Sequence, residues 1–227
     1  MASLRAAANC IGLTGPVSLV HDFFGFWTSG PRPLSLRTQL DRLGDRHIHV
    51  NFIAAGLLPD PDHNGLDQAL QTARGILSTA GIGIGRVGYF AITGDELFDS
   101  NFPLIVDRNL LDDLSDGWSA PNDGIDVFVV HEVLGTVTGR SPVNGACGKS
   151  GKRSGMIIGA SDGAGIFVGL TLAHEIGHFL GVDHYVDAAG QIYNDNLMSE
   201  GPTASNLLPW QIWVMQSHCM VRHGCAI

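Results

Sequence analysis

The stretch His174-Glu175-Ile176-Gly177-His178-Phe179-Leu180-Gly181-Val182-Asp183-His184 decides how this 227-residue chain is read. Residues four apart share one face of an α-helix, so a helix through this run points His174 and His178 the same way and sets Glu175 at the rim of that face. Two neutral imidazoles so placed can hold one metal ion through ring nitrogens at about 2.0–2.1 Å. A third ligand must come from elsewhere, and His184 supplies it if the chain stops being helix after His178 and turns back sharply. Gly181 lies where that turn must be, and glycine takes φ > 0 without penalty. Three protein ligands leave the fourth tetrahedral position to water, which separates a catalytic zinc from a closed structural one. Glu175 then stands where a general base is needed. H-E-x-x-H alone would arise by chance in roughly one such sequence in a hundred, and the added glycine and histidine lower that to roughly one in twenty thousand. A helix that merely carries histidines would have to bury three imidazoles and a carboxylate with nothing to organise them, at considerable cost.

Composition bounds the rest. With 44% hydrophobic and 15% charged residues, the chain reads as a globular protein with one core, or one domain split by a cleft. A net charge of −9 argues against a nucleic-acid or anionic-membrane partner, because phosphate binding needs clustered Lys and Arg. No apolar run is long enough to span a bilayer. Both lysines, Lys149 and Lys152, fall with Arg140 and Arg153 in one local basic segment, which reads as a solvated loop. The opening MASLRAAANCIGLTGPVSLV is interrupted by Asn9, Gly12, Gly15 and Pro16 and offers no clear cleavage site, so no signal peptide is read from it. Four cysteines, Cys10, Cys147, Cys219 and Cys225, lack zinc-finger spacing and could form two disulfides in three connectivities. Cys219 and Cys225 enclose a short loop and are the expected pair, which favours an oxidising compartment and a secreted or otherwise extracytoplasmic protein.

Along the chain, residues 1–45 show Gly, Pro, Ser and aromatic clusters without periodicity and read as a wrapping segment or prosegment remnant. Residues 46–185 read as an upper catalytic subdomain that ends with the zinc helix, and 186–227 as a C-terminal subdomain. Strands are expected over His47–Ala54, Gly85–Ile92, Ile125–Val130 and Gly155–Ala160, with a weaker one over Val133–Arg140. Leu66–Ala80 reads as an amphipathic helix with Asn64 and Asp67 as a capping pair, the zinc helix starts near Ala164, and a last helix spans Leu207 to about His218 with Pro209 in its first turn. The fold class is therefore α/β (α+β): a mixed five-stranded sheet with two helices above a zinc cleft and a small C-terminal helical subdomain. Gly83, Gly85 and Gly88 satisfy G-x-G-x-x-G but enter a strand from a helix, the reverse of a dinucleotide fingerprint. Asp60–Gly65 starts like a calcium loop, yet Gln71 stands where a bidentate Glu is required, so Ca2+ is only a secondary candidate and a polar turn is the better account.

The long motif H-E-x-x-H-x-x-G-x-x-H, followed by Asn196-Leu197-Met198-Ser199, resembles the metzincin clan of zinc endopeptidases. The asparagine-leucine-methionine turn is similar to pappalysin-like and other bacterial members. The resemblance implies one catalytic zinc on His174, His178 and His184, Glu175 as general base, and Met198 as a hydrophobic floor beneath the imidazoles. It also implies a peptide or protein substrate lying extended along a sheet edge, with Val133–Arg140 as the candidate edge and Ser199–Asn206 lining the pocket beyond the scissile bond. Astacin-like and serralysin-like members carry a tyrosine two residues past the methionine; here that position is Glu200, and neither Tyr185 nor Tyr193 has the right spacing. Some members are kept latent by an N-terminal cysteine, but the sequence around Cys10 does not match the matrixin form of that switch.

Two other readings compete. One is a zinc hydrolase acting on a non-standard amide, and the other a zinc-binding protein without turnover, against which Glu175 argues. The sequence leaves the oligomeric state open.

Overall fold

A computed structural model describes residues 45–55, 60–92, 108–131, 133, 138–149, 151–160, 165–186, 195–200 and 204–223. Cys10, Tyr193, Cys225 and all of the expected N-terminal segment but Asp45 lie outside them. In chain order the elements are β1 (Arg46–Ala55), α1 (Asp60–Thr79), β2 (Ile82–Ile92), α2 (Arg108–Gly117), β3 (Ile125–Val130), β4 (Gly139–Arg140), β5 (Gly155–Gly159), α3 (Gly165–Phe179) and α4 (Pro209–Gln216).

The sheet has the order β2-β1-β3-β5-β4. Its first four strands are parallel, and β4 pairs antiparallel with β5. Helices cover both faces, which is why β3 can be apolar on successive residues where a one-faced strand would alternate. On one face Val50, Phe52, Val127, Val129, Met156 and Ile158 pack against α1 and α3. On the other, Ile53, Phe128, Val130 and Ile157 pack against Leu111 and Leu114 of α2. Helices α1 and α3 touch through small residues: a Cβ on Gly165 would lie 2.6 Å from the Gly65 carbonyl oxygen, and one on Gly169 would lie 2.5 Å from Thr72 Cβ. Glycines four apart thus form a flat ridge that lets the two backbones approach.

Five expectations need correction. Helix α1 begins at Asp60, six residues before Leu66, because Pro61 is tolerated in a first turn where its missing N–H is not needed. Asn64 and Asp67 are therefore interior, and residues 60–65 are helical, neither the polar turn expected there nor a calcium loop. The loop expected between the second and third strands contains a helix, α2, giving four helices among the described residues. Gly83, Gly85 and Gly88 lie inside β2, as expected of glycines that enter a strand. The strand expected over Val133–Arg140 is limited to Gly139–Arg140 among the described residues, and it does form the edge of the sheet. The basic segment is not merely solvated, since Lys149 Nζ donates to the fully buried carboxylate of Asp126 at 2.5 Å and anchors the 141–154 segment to β3.

The disulfide expectation also fails. Cys219 pairs with Cys147, not with Cys225, at a Cα–Cα distance of 5.8 Å. The turn after α4 folds back over the segment that follows β4, where His218 Nε2 meets the Gly145 carbonyl oxygen at 3.2 Å. That tertiary contact brings residues 72 apart in sequence together and overrides the short local loop. At the opposite edge, β1 and β2 shift register between Ile48 and Val50, and the N–H of Arg86 beside the shift donates to His49 Nδ1 at 3.0 Å.

Candidate metal centre

Helix α3 is apolar on nearly all sides, and every residue from Thr171 to Phe179 is buried. It ends in a Schellman motif: Val182 N–H donates to the Gly177 carbonyl at 3.0 Å and Gly181 N–H to that of His178 at 2.9 Å. Gly181 adopts φ +105°, which a side chain would strain. This turn returns the chain to the helix face, so that the His184 ring centroid lies 5.3 Å from that of His174 and 4.6 Å from that of His178. One ligand nitrogen from each of the three lies within 4.8 Å of the others.

The protonation pattern follows from the hydrogen bonds. His174 Nδ1 lies 2.7 Å from the Leu197 carbonyl oxygen and His178 Nδ1 lies 2.7 Å from that of Val182. A carbonyl can only accept, so each Nδ1 carries the proton and each Nε2 keeps its lone pair. Burial holds His174 down to about 4 and lowers His178, which keeps both rings neutral near pH 7.

The Leu197 carbonyl belongs to a tight turn at Asn196–Ser199. Asn196 Oδ1 accepts the Met198 N–H at 2.9 Å, and Ser199 N–H donates to the Asn196 carbonyl at 3.1 Å. Met198 is fully buried, and its sulfur would lie 2.5 Å from a Cβ on Gly177, so the thioether rests on bare helix backbone between the turns that carry His174 and His178. Gln211 of α4 locks this turn. Asn196 Nδ2 donates to Gln211 Oε1 at 2.9 Å, Gln211 Nε2 donates back to Asn196 Oδ1 at 3.0 Å, and the same Oε1 caps α4 by accepting the Leu208 N–H at 2.7 Å. A polar chain therefore runs from α4 through Asn196 and Leu197 to His174. The sequence reading missed Gln211; the available signal was a lone amide in the first turn of a short apolar helix.

Glu175 is 5% exposed, and its Oε2 is buried without a hydrogen-bond partner. Burial pushes its carboxyl up to about 8, against the pull of the Arg140 guanidinium. Strand β4 passes directly over it: a Cβ on Gly139 would lie 2.9 Å from both Cγ and Oε1 of Glu175. Thr138 and Thr171 hydroxyls meet at 2.8 Å beside that contact. The three histidines and Glu175 open into a cleft of about 820 Å³, with Arg140–Val143, Lys152 and Arg153 along one rim and Asp112 and Glu200 also in its lining. Of the expected pocket segment, Glu200 lines the cleft, whereas Ser199 is buried beneath it.

These donors fit zinc. Neutral imidazole nitrogens and one carboxylate oxygen with no protein partner suit an ion that takes nitrogen ligands and keeps a water. They do not suit calcium, which needs six to eight oxygens.

No family model matches the sequence, and no curated protein matches it. Metalloproteinase-II from Bacteroides fragilis is similar in structure at a TM-score of 0.45 and 16% identity over 78% of this chain, which spans 54% of that protein's length. A zinc-dependent peptidase from Methanocorpusculum labreanum aligns at a TM-score of 0.40 and 12% identity, over 73% of this chain and 99% of that one. Archaemetzincin from Methanopyrus kandleri aligns at a TM-score of 0.51 and 16% identity, over 76% of this chain and 95% of that one. The likeness to the Methanopyrus protein places this chain, with its mixed five-stranded sheet, in the same α/β fold.

Proposed function

We propose that this protein is a zinc-dependent endopeptidase of the metzincin type. The observation that carries the reading is a buried Glu175 oxygen without a partner, beside three converging imidazoles of which His174 and His178 keep their Nε2 lone pairs free. A helix kept only for packing gains nothing from that arrangement and bears its desolvation cost. His174 and His178 would hold the ion through Nε2, with His184 as the third ligand. Bound zinc supplies a Lewis acid that lowers the pKa of water toward about 7 and polarises a carbonyl.

The chain's own groups account for the rest of the chemistry. Glu175 takes the proton of the attacking water and delivers it to the leaving amine, acting in the carboxylate form that a cation bound beside it would favour against the burial that raises its pKa. Strand β4, at the edge of the sheet among the described residues, offers backbone hydrogen bonds to an extended peptide and sets it across the face of Glu175. Gly181 shapes the return to His184, and Met198 supports the imidazoles from below. The Cys147–Cys219 disulfide supports a secreted or extracytoplasmic setting.

The test is cleavage of a broad peptide library by the purified full chain before chelation, after it, and after zinc is restored. Cleavage that disappears and returns with zinc is the expected result. Cleavage indifferent to chelation, or none by protein carrying one zinc per chain, would overturn the reading.

A further inference from the structure

The protein carries 22 acidic and 13 basic residues, so a groove lined at random would be acidic. The rim formed by β4 and the segment after it instead presents Arg140, Lys152 and Arg153. Arg153 is committed to that rim, since its guanidinium donates to the carbonyls of Val143 and Asn144. Arg140 and Lys152 are exposed, and among the described residues no carboxylate lies within ion-pair distance of either, the pull of Arg140 on Glu175 acting from farther off; the acids that take ion pairs with Arg or Lys there are Asp123 and Asp126. Arg140 also follows Gly139, the residue seated on Glu175, along the sheet edge that an extended peptide would join.

We propose that the cleft selects peptides with an Asp or Glu side chain close to the scissile bond, held by Arg140 and Lys152. This rests on the peptidase reading above and names its substrate class. A polyanion such as a nucleic acid fits less well, because Asp112 and Glu200 line the same cleft and would repel an extended run of phosphates. A single carboxylate on an otherwise neutral strand meets the cationic rim alone. Each pairing in a half-open groove is modest, so two cations together should favour a Glu peptide over its Gln twin by roughly five- to tenfold.

The experiment uses fluorescein-labelled peptides that differ at one position as Glu, Gln or Lys, with that position moved along the sequence. Binding to the zinc-loaded full chain carrying Glu175→Gln is read by anisotropy, and cleavage by the wild-type chain is read in parallel. At one or more positions the Glu peptide should bind roughly five- to tenfold tighter than the Gln twin and tighter still than the Lys twin, with the margin shrinking as salt is raised. The Glu-over-Gln ratio should fall to one in an Arg140→Gln/Lys152→Gln chain of unchanged melting temperature, and Arg140→Glu should move the preference toward Lys. Equal binding of the twins at every position, a preference that survives the double substitution, or no peptide binding at all would overturn the proposal. Cleavage without discrimination defeats this proposal alone. Charge-selective binding without any wild-type cleavage defeats the peptidase reading and leaves the rim assignment standing.

Discussion

Replacing Gln211 by Leu should loosen the metal centre from a position in a different helix. Three hydrogen bonds are lost: Asn196 Nδ2 to Gln211 Oε1, Gln211 Nε2 to Asn196 Oδ1, and Leu208 N–H to Gln211 Oε1. Asn196 Oδ1 still accepts the Met198 N–H, so it is not orphaned. The Asn196 amide donor is left without its partner in a site where Asn196 is 1% exposed, and an unmet buried donor costs about 1–3 kcal/mol. The Leu208 N–H is only half-buried, so water can partly replace its partner and its loss lies at the low end of that range. The sum is roughly 2–4 kcal/mol. Because the same turn presents the Leu197 carbonyl to His174, zinc affinity should also fall, by roughly tenfold for a partner one step removed from the ligand. Urea unfolding of zinc-free protein gives the first quantity, and competition against a chelator of known affinity gives the second. In a double-mutant cycle with Asn196→Ala the pair should show a coupling of about 1 kcal/mol or more. A loss under about 0.5 kcal/mol with unchanged zinc affinity would refute the idea that this amide pair ties α4 to the site.

Three further outcomes are expected. Gly145→Ala puts a Cβ 2.4–2.6 Å from ring carbons of the fully buried Phe179, and should destabilise by about 1–3 kcal/mol in thermal or urea unfolding. Gly139→Ala drives a Cβ to 2.9 Å from Glu175 Oε1 and should lower kcat by roughly tenfold or more in steady-state assays. The same Cβ would lie 2.8 Å from Thr171 Cγ2, so the melting temperature should fall as well. Burial lowers His49 to about 4, and its Nδ1 must stay unprotonated to accept the Arg86 N–H, with Asp123, Arg86, His47 and Arg222 around it. A folded pKa below the unfolded 6.5 means the unfolded chain takes up the proton first, so stability is lost as pH falls from 6.5 to about 4. The loss from this group is roughly 3 kcal/mol. His49→Asn keeps an acceptor for Arg86 and should make the acid limb of stability in zinc-free protein shallower without removing it, because His174 and His178 are also held low there, read as urea midpoints across that range.

Much of the fold could be read from residue pattern because its causes are local. The run Ile125–Val130, apolar but for Asp126, signals a strand covered on both faces, and the four-residue spacing of His174 and His178 with Gly181 beyond them specifies a helix, its end and its return. Helix α2 escaped notice because Leu111 and Leu114 make a short apolar stripe among Asp and Ser, and its burial is decided by the second face of the sheet. The partner of Cys219 and the pairing of Asn196 with Gln211 join segments distant in sequence, and local spacing carries no information about either. The reach of Lys149 to Asp126 was hidden for the same reason, since its neighbours in sequence are basic and its partner lies in a strand.

The central claim is that Glu175 serves as the base beside a three-histidine zinc site. Its most direct test is Glu175→Gln set against the wild-type chain, with zinc content and turnover of a cleaved library peptide measured on the same preparations. One zinc per chain in both, with turnover of the variant reduced by roughly a hundredfold or more, is the predicted result. A variant that keeps wild-type turnover would contradict it.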